Sequence, residues 1–131
     1  MRSTALTAGV AASLALAACG GDDTSTAPVA STSEARAQAA ATRASLRKAL
    51  GQVKAGDRKA AGDTVSEGYL QHFEDVEAPL DKVDHELNEK LEDTLKRGLR
   101  DKIKSGAAVA EVERLIASLD ADLATAERKL R

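Results

Sequence analysis

Val109, Val112, Ile116, Leu119, Leu123, Ala126 and Leu130 fall alternately three and four residues apart. This heptad seam constrains the fold more than any other feature of the chain. It gathers the apolar side chains onto one stripe of a helix and leaves no period-two strand pattern. Such a stripe needs other helices to cover it. The preceding segment supplies one, because Leu87, Leu91, Leu95, Leu99 and Ile103 recur every four residues, as a ridge for a neighbour's groove. Further upstream, Ala61, Val65, Tyr69, His72, Phe73 and Val76 share an arc of about 120° when each residue turns the helix by about 100°. Asp63, Glu67, Glu74, Glu77 and Asp81 take the opposite arc.

The predicted ends agree with these periods. Ser31 or Ser33 caps a first helix that runs to about Lys54, with Glu34 at capping-box spacing from Ser31. Its apolar face is mostly alanine, followed by Leu46, Leu50 and Val53. Gly56 stops it and Asp57 caps the second helix, which runs from about Arg58 to Ala78, with Pro79 at its end or at a kink. Asp84 caps a third helix from about His85 to Lys104, and Gly106 stops it. Aromatic residues make up only 2% of the chain, so the core is built from Leu, Val, Ile and Ala. Four amphipathic helices with short connections predict an all-α fold, an antiparallel up-down four-helix bundle over residues 33–131. Because alanine buries little area, the alternative is a three-helix core with a loosely docked first helix.

The N-terminus reads as a processing segment. Arg2 is followed by the apolar run "ALTAGVAASLALAA", which is too short for a usual membrane span. It ends in Leu16-Ala17-Ala18-Cys19, which resembles the bacterial lipoprotein cleavage box. The resemblance implies a signal peptide over residues 1–18, and lipidation of Cys19 by two or three acyl chains, palmitate among them. Two or more chains anchor a protein stably, where one does so only marginally. Cys19 is the chain's single cysteine, so no disulfide can form within the chain. Residues 19–32 then read as a tether of Gly, Ser, Thr, Asp and Pro. These features predict a protein held at the cell membrane by lipid and facing the extracytoplasmic side.

Without Arg2 the chain carries 18 basic against 21 acidic residues. That balance argues against nucleic acid as a partner, for which a basic face is expected. No G-x-S-x-G elbow, glycine-rich phosphate loop or zinc ligand pattern occurs, so a non-enzymatic role is expected.

Several residues recur in a known register: Gly56-Asp57, Glu67, Tyr69-Leu70, Phe73-Glu74 and Glu77, then Asp84, Glu92, Leu99-Arg100, Gly106 and the "VAEVE" that opens the last helix. Together, over about Ala55 to Leu119, they resemble the exported helical domain of high-affinity iron permeases. The multi-span permease and its Arg-Glu-x-x-Glu segments are absent from this sequence. So is the His-x-x-Glu motif of imelysin-type proteins, since Asp75 follows His72 and Asn88 follows His85 at that spacing. The resemblance implies an iron-uptake context, with iron as a candidate cofactor and an iron permease or another envelope protein as a candidate partner.

Two readings of the acidic residues stand side by side. Glu67, Glu74 and Glu77, with His72, form a candidate oxygen-rich metal site. They also fit the solvated face of an ordinary amphipathic helix. His85 would need Asp81 or Glu86 to converge on it. Tyr69 and Phe73, at i and i+4, are expected to anchor the second helix against the third. Arg100 or Glu92 is the expected partner of the Tyr69 hydroxyl. The function expected is iron uptake assisted through iron binding or docking; the alternative is a structural or interaction module of the envelope without a metal.

Overall fold

The computed structural model describes residues 29–131; the predicted leader, Cys19 and most of the predicted tether lie outside these residues. Among the described residues every regular element is a helix, and there are four: α1 (Thr32–Lys54), α2 (58–81), α3 (85–104) and α4 (Val109–Lys129). They pack as an antiparallel up-down bundle, with α1 against both α2 and α4, and α3 completing the ring. No described helix is long and apolar enough to cross a membrane.

The helix ends follow local chemistry. The Ser31 hydroxyl accepts from the Glu34 N–H at 3.3 Å, and Glu34 Oε2 accepts from the Ser31 N–H at 2.8 Å. The Ser31 N–H, and after it the Ser31 hydroxyl, hold the Glu34 carboxyl below its usual pKa. At the other end of α1, Gly56 has φ +86°, with Asp57 N–H bonded to Gln52 O at 2.9 Å and Gly56 N–H to Val53 O at 3.0 Å. This is a Schellman motif, in which the left-handed position favours glycine. Gly106 (φ +79°) repeats it after α3, with Ala107 N–H bonded to Lys102 O and Gly106 N–H to Ile103 O. Asp57 and Asp84 cap α2 and α3 by accepting from Ala60 and Leu87 N–H.

The first helix is fully part of the core. Ala35, Ala39, Thr42, Leu46, Ala49 and Val53 are buried at spacings of four and three. The loosely docked alternative therefore fails. Small side chains bury little area each, but they let two backbones approach closely. At Gly68 of α2 an added Cβ would lie only 2.7 Å from the Ser45 Cβ of α1. The side facing α4 is clamped by charge. Arg43 holds Asp120 through two bonds of 2.9 Å and Glu127 through one of 3.0 Å. The forked pairing raises the Arg43 pKa and lowers that of Asp120.

Both middle helices widen once. In α2 a π-type turn, Tyr69–Phe73, joins Arg58–Gly68 to Glu74–Asp81. In α3 a second one, Thr94–Leu99, joins His85–Asp93 to Arg100–Lys104. Pro79 lies inside α2, buried, and the helix continues past it to Asp81 rather than ending near Ala78. The single core gathers Phe73, Leu80, Leu91, Leu95, Leu99, Ile103, Leu119 and Leu123 with the α1 stripe. Val109, the first member of the predicted seam, starts α4 and is exposed.

Candidate functional site

The two π-type turns are where polar chemistry enters the α2–α3 interface. Tyr69 is buried beside Phe73, their ring centroids 5.7 Å apart and tilted by 41°. The Tyr69 hydroxyl donates to Glu77 Oε1. Above the ring stands Lys96, its Nζ 4.8 Å from the centroid. The same ammonium bonds Glu92 Oε1 at 2.6 Å.

Register explains why Glu77 is the partner rather than the expected Arg100 or Glu92. In a uniform α-helix, residues eight apart differ by about 80° around the axis. A π-type turn takes one extra residue, so Tyr69 and Glu77 behave like residues seven apart, separated by only about 20°. The turn therefore swings Glu77 from the outer arc towards α3. It also rotates Glu74 by about 100° relative to Glu67, which breaks the three-carboxylate stripe read from the wheel.

Electrostatics at this node follow from the geometry. Burial pushes the Glu77 carboxyl above its usual pKa, and the Tyr69 bond offsets part of that shift. The Glu92 and Glu74 charges add to the rise, while Lys96 opposes it. The Tyr69 phenol is pushed up to about 12, first by burial and then by the Glu77 bond. Lys96 is held above the usual lysine range by Glu92 and Tyr69. At neutral pH the tyrosine is a neutral donor, and it occupies one oxygen of Glu77.

The four metal candidates separate. Glu67 accepts from Gln71 Nε2 at 3.1 Å. His72, half-buried, meets Gln38 Oε1 of α1 through Nδ1 at 2.8 Å, so Nδ1 is the donor and the ring joins α1 to α2. Glu74 is exposed, and Glu77 is engaged by Tyr69. Among the described residues no group of three His, Cys, Asp or Glu side chains is placed to hold a metal ion. His85 does gain Asp81, at 2.6 Å from Nδ1, while Glu89 rather than Glu86 stands 3.4 Å from Nε2.

Sequence reasoning missed Lys96 and Arg43. Lys96 is one helical turn from Glu92, a detectable pairing signal, but its place over Tyr69 depends on the widened turns. Arg43 has its partners 77 and 84 residues away. Comparison of the chain with protein-family models, curated proteins and solved structures found no match.

Proposed function

We propose that this chain is an exported, lipid-anchored docking module of the cell envelope, without a catalytic role. The observation that supports this reading is the segregation of charge along the α2–α3 hairpin. Residues 74–93 hold nine carboxylates and only two lysines, Lys82 and Lys90. Glu74, Asp75, Asp81, Glu86, Glu89 and Asp93 are all exposed there. Beyond Asp93 the sign reverses, with Lys96, Arg97, Arg100, Lys102 and Lys104 against Asp101 alone. A surface dominated by one sign steers and orients a partner of opposite charge.

The acidic end is also the end at which α1 begins, the side from which the predicted tether would lead to the anchor. The resemblance to the exported domain of iron permeases makes such a permease the first partner to test. Docking fits the separated carboxylates better than chelation does. Photo-crosslinking from positions 74 and 89 in cells should capture one dominant basic-faced partner. A featureless crosslinking pattern, with unchanged iron-limited growth on deletion of the gene, would remove the proposal. Saturable Fe(II) or Fe(III) binding by titration calorimetry, lost in Glu74→Gln, would replace docking with chelation.

A further inference from the structure

The opposite end of the same hairpin carries an unexplained feature. Between the first half of α2 and the last half of α3 lies an open groove of about 500 Å³. Five cations line it, Arg58, Lys59, Lys96, Arg100 and Lys104, against two carboxylates, Asp63 and Asp101. Asp63 is taken by Lys59 at 2.7 Å. Arg58 is taken as well, since it donates to Ile103 O at 3.3 Å and Ala107 O at 2.7 Å and so closes the end of α3. Arg100 and Lys104 have no ion-pair or hydrogen-bond partner for their side chains among the described residues.

Ordinary helix electrostatics does not account for this arrangement. A cation in the last turn of a helix is favoured by the helix dipole, which covers Lys104. Arg100 stands a turn earlier, four residues from both Lys96 and Lys104, and like charges at that spacing repel. Lys59 stands in the first turn of α2, the end where the dipole favours anions, and is held there by its i,i+4 pair with Asp63. Gly62 keeps the floor open, with nothing within 4 Å of where its Cβ would stand. Lys59 and Lys96 are each matched by a carboxylate, Asp63 and Glu92, so the positive charge left without a salt bridge on this concave wall is that of Arg100 and Lys104, beside the single unpaired carboxylate Asp101.

We propose that this groove binds a small, multiply charged oxyanion of the phosphate class, gripped by Arg100 and Lys104 with Lys59 and Lys96 at its rim. A guanidinium fork and an ammonium one turn apart suit the paired oxygens and high charge of such a group. The anion takes the place of the missing counter-charges and relieves the repulsion along α3. The source is a soluble phosphate compound or a phospholipid headgroup. The groove opens at the end of the bundle away from Ser31, on the order of 25–35 Å along α1 at about 1.5 Å per residue. This site is independent of the docking reading, which uses the other end of the hairpin.

The test uses the full chain and inorganic pyrophosphate at low ionic strength, followed by titration calorimetry. Saturable binding is expected, weakened at least about tenfold in the double variant Arg100→Gln/Lys104→Gln, since bonds to charged groups are the strong ones. Arg36→Gln, an exposed cation on α1, should bind like the parent. Without ligand the double variant should melt at the same temperature or slightly higher, because repulsion has been removed; only the parent should gain stability with added pyrophosphate. A parallel arm compares anionic with zwitterionic phospholipid vesicles. A preference for anionic vesicles that the double variant loses, without pyrophosphate binding, assigns the headgroup as source. Binding in neither arm, or equal loss in Arg36→Gln, overturns the proposal. The acidic-end crosslinks are unaffected by any of these outcomes.

Discussion

Tyr69→Phe isolates the bond that the α2 π-type turn creates. The ring stays, so the packing on Phe73 and the contact with Lys96 are retained. What goes is the hydroxyl that donates to Glu77. A hydrogen bond to a charged group contributes about 1.5–3 kcal/mol. Glu77 is only half-buried, so water can partly replace the donor, and screening lowers the expected loss to about 1–1.5 kcal/mol at pH 7. For a domain of this size about 1 kcal/mol corresponds to roughly 4–8 °C in melting temperature. Urea unfolding followed by circular dichroism gives the free energy directly, with an unchanged m-value as the sign that the unfolded state is not altered. The pH dependence sharpens the test. Tyr69 favours the ionised form of Glu77, so the penalty should be full at pH 7 and shrink as pH falls through the Glu77 pKa. Glu77 itself runs the other way. Its folded pKa is raised above 4.5, so its contribution to stability is complete below that value and is lost as pH rises through the folded pKa. Glu77→Gln keeps an acceptor for the hydroxyl and should flatten that slope. A double-mutant cycle of Tyr69→Phe with Glu77→Ala should give a coupling of about 1 kcal/mol. Additivity within about 0.3–0.5 kcal/mol would refute the pairing and the register behind it.

Other outcomes follow from the same structure. Phe73→Ala, at a fully buried site, should cost about 3–5 kcal/mol, and exposed Glu74→Ala less than about 0.5 kcal/mol, both by chemical denaturation. Deleting Leu70, which is exposed within the π-type turn, should restore a uniform α-helix and keep the core for about 1 kcal/mol or less. Deleting Asp63 from the regular part of α2 should instead lose the cooperative melt. By NMR, His85 should titrate above 6.5, with Asp81 the main cause and Glu89 next, and Asp81→Asn should bring it back down. The stabilisation from His85 is therefore full below 6.5 and is lost as pH rises through its folded pKa. Gly56→Ala should cost about 1 kcal/mol or more, because its φ is +86°.

Most helix ends were legible because each is decided within a few residues; the end of α2, which passes Pro79 to Asp81, was not. Ser31 with Glu34, Asp57, Asp84, Gly56 and Gly106 act on backbone groups three to five positions away. The α4 seam was legible for a similar reason, since a heptad is a local pattern. The standing of α1 was not. Its alanines read as a poor core when counted by area, and as a close-packing surface only when Gly68 is seen opposite Ser45. Arg43 and its two carboxylates are joined by topology, which spacing along the chain does not encode.

The placing of Glu77 turns on an angle whose signal lies in the spacing of the leucines. Three steps of four residues, from Leu91 to Ile103, would drift by about 120° around a uniform helix at about 100° per residue. A straight helix would lift the ends of such a ridge towards solvent. Yet Leu91, Leu95, Leu99 and Ile103 are all 1% exposed or less, and Leu87, one step further out, is partly buried. The wide turn at Thr94–Leu99 absorbs the drift. The same reasoning covers α2, where Ala61, Val65, Tyr69 and Phe73 also advance by fours before Val76, and the wide turn falls at Tyr69–Phe73. An unbroken run of fours between buried positions is thus a sequence signature of a π-type turn. Once that turn is placed, Glu77 leaves the outer arc, Tyr69 acquires its acceptor, and Glu67, Glu74 and Glu77 no longer share the stripe that a common metal site on α2 would need.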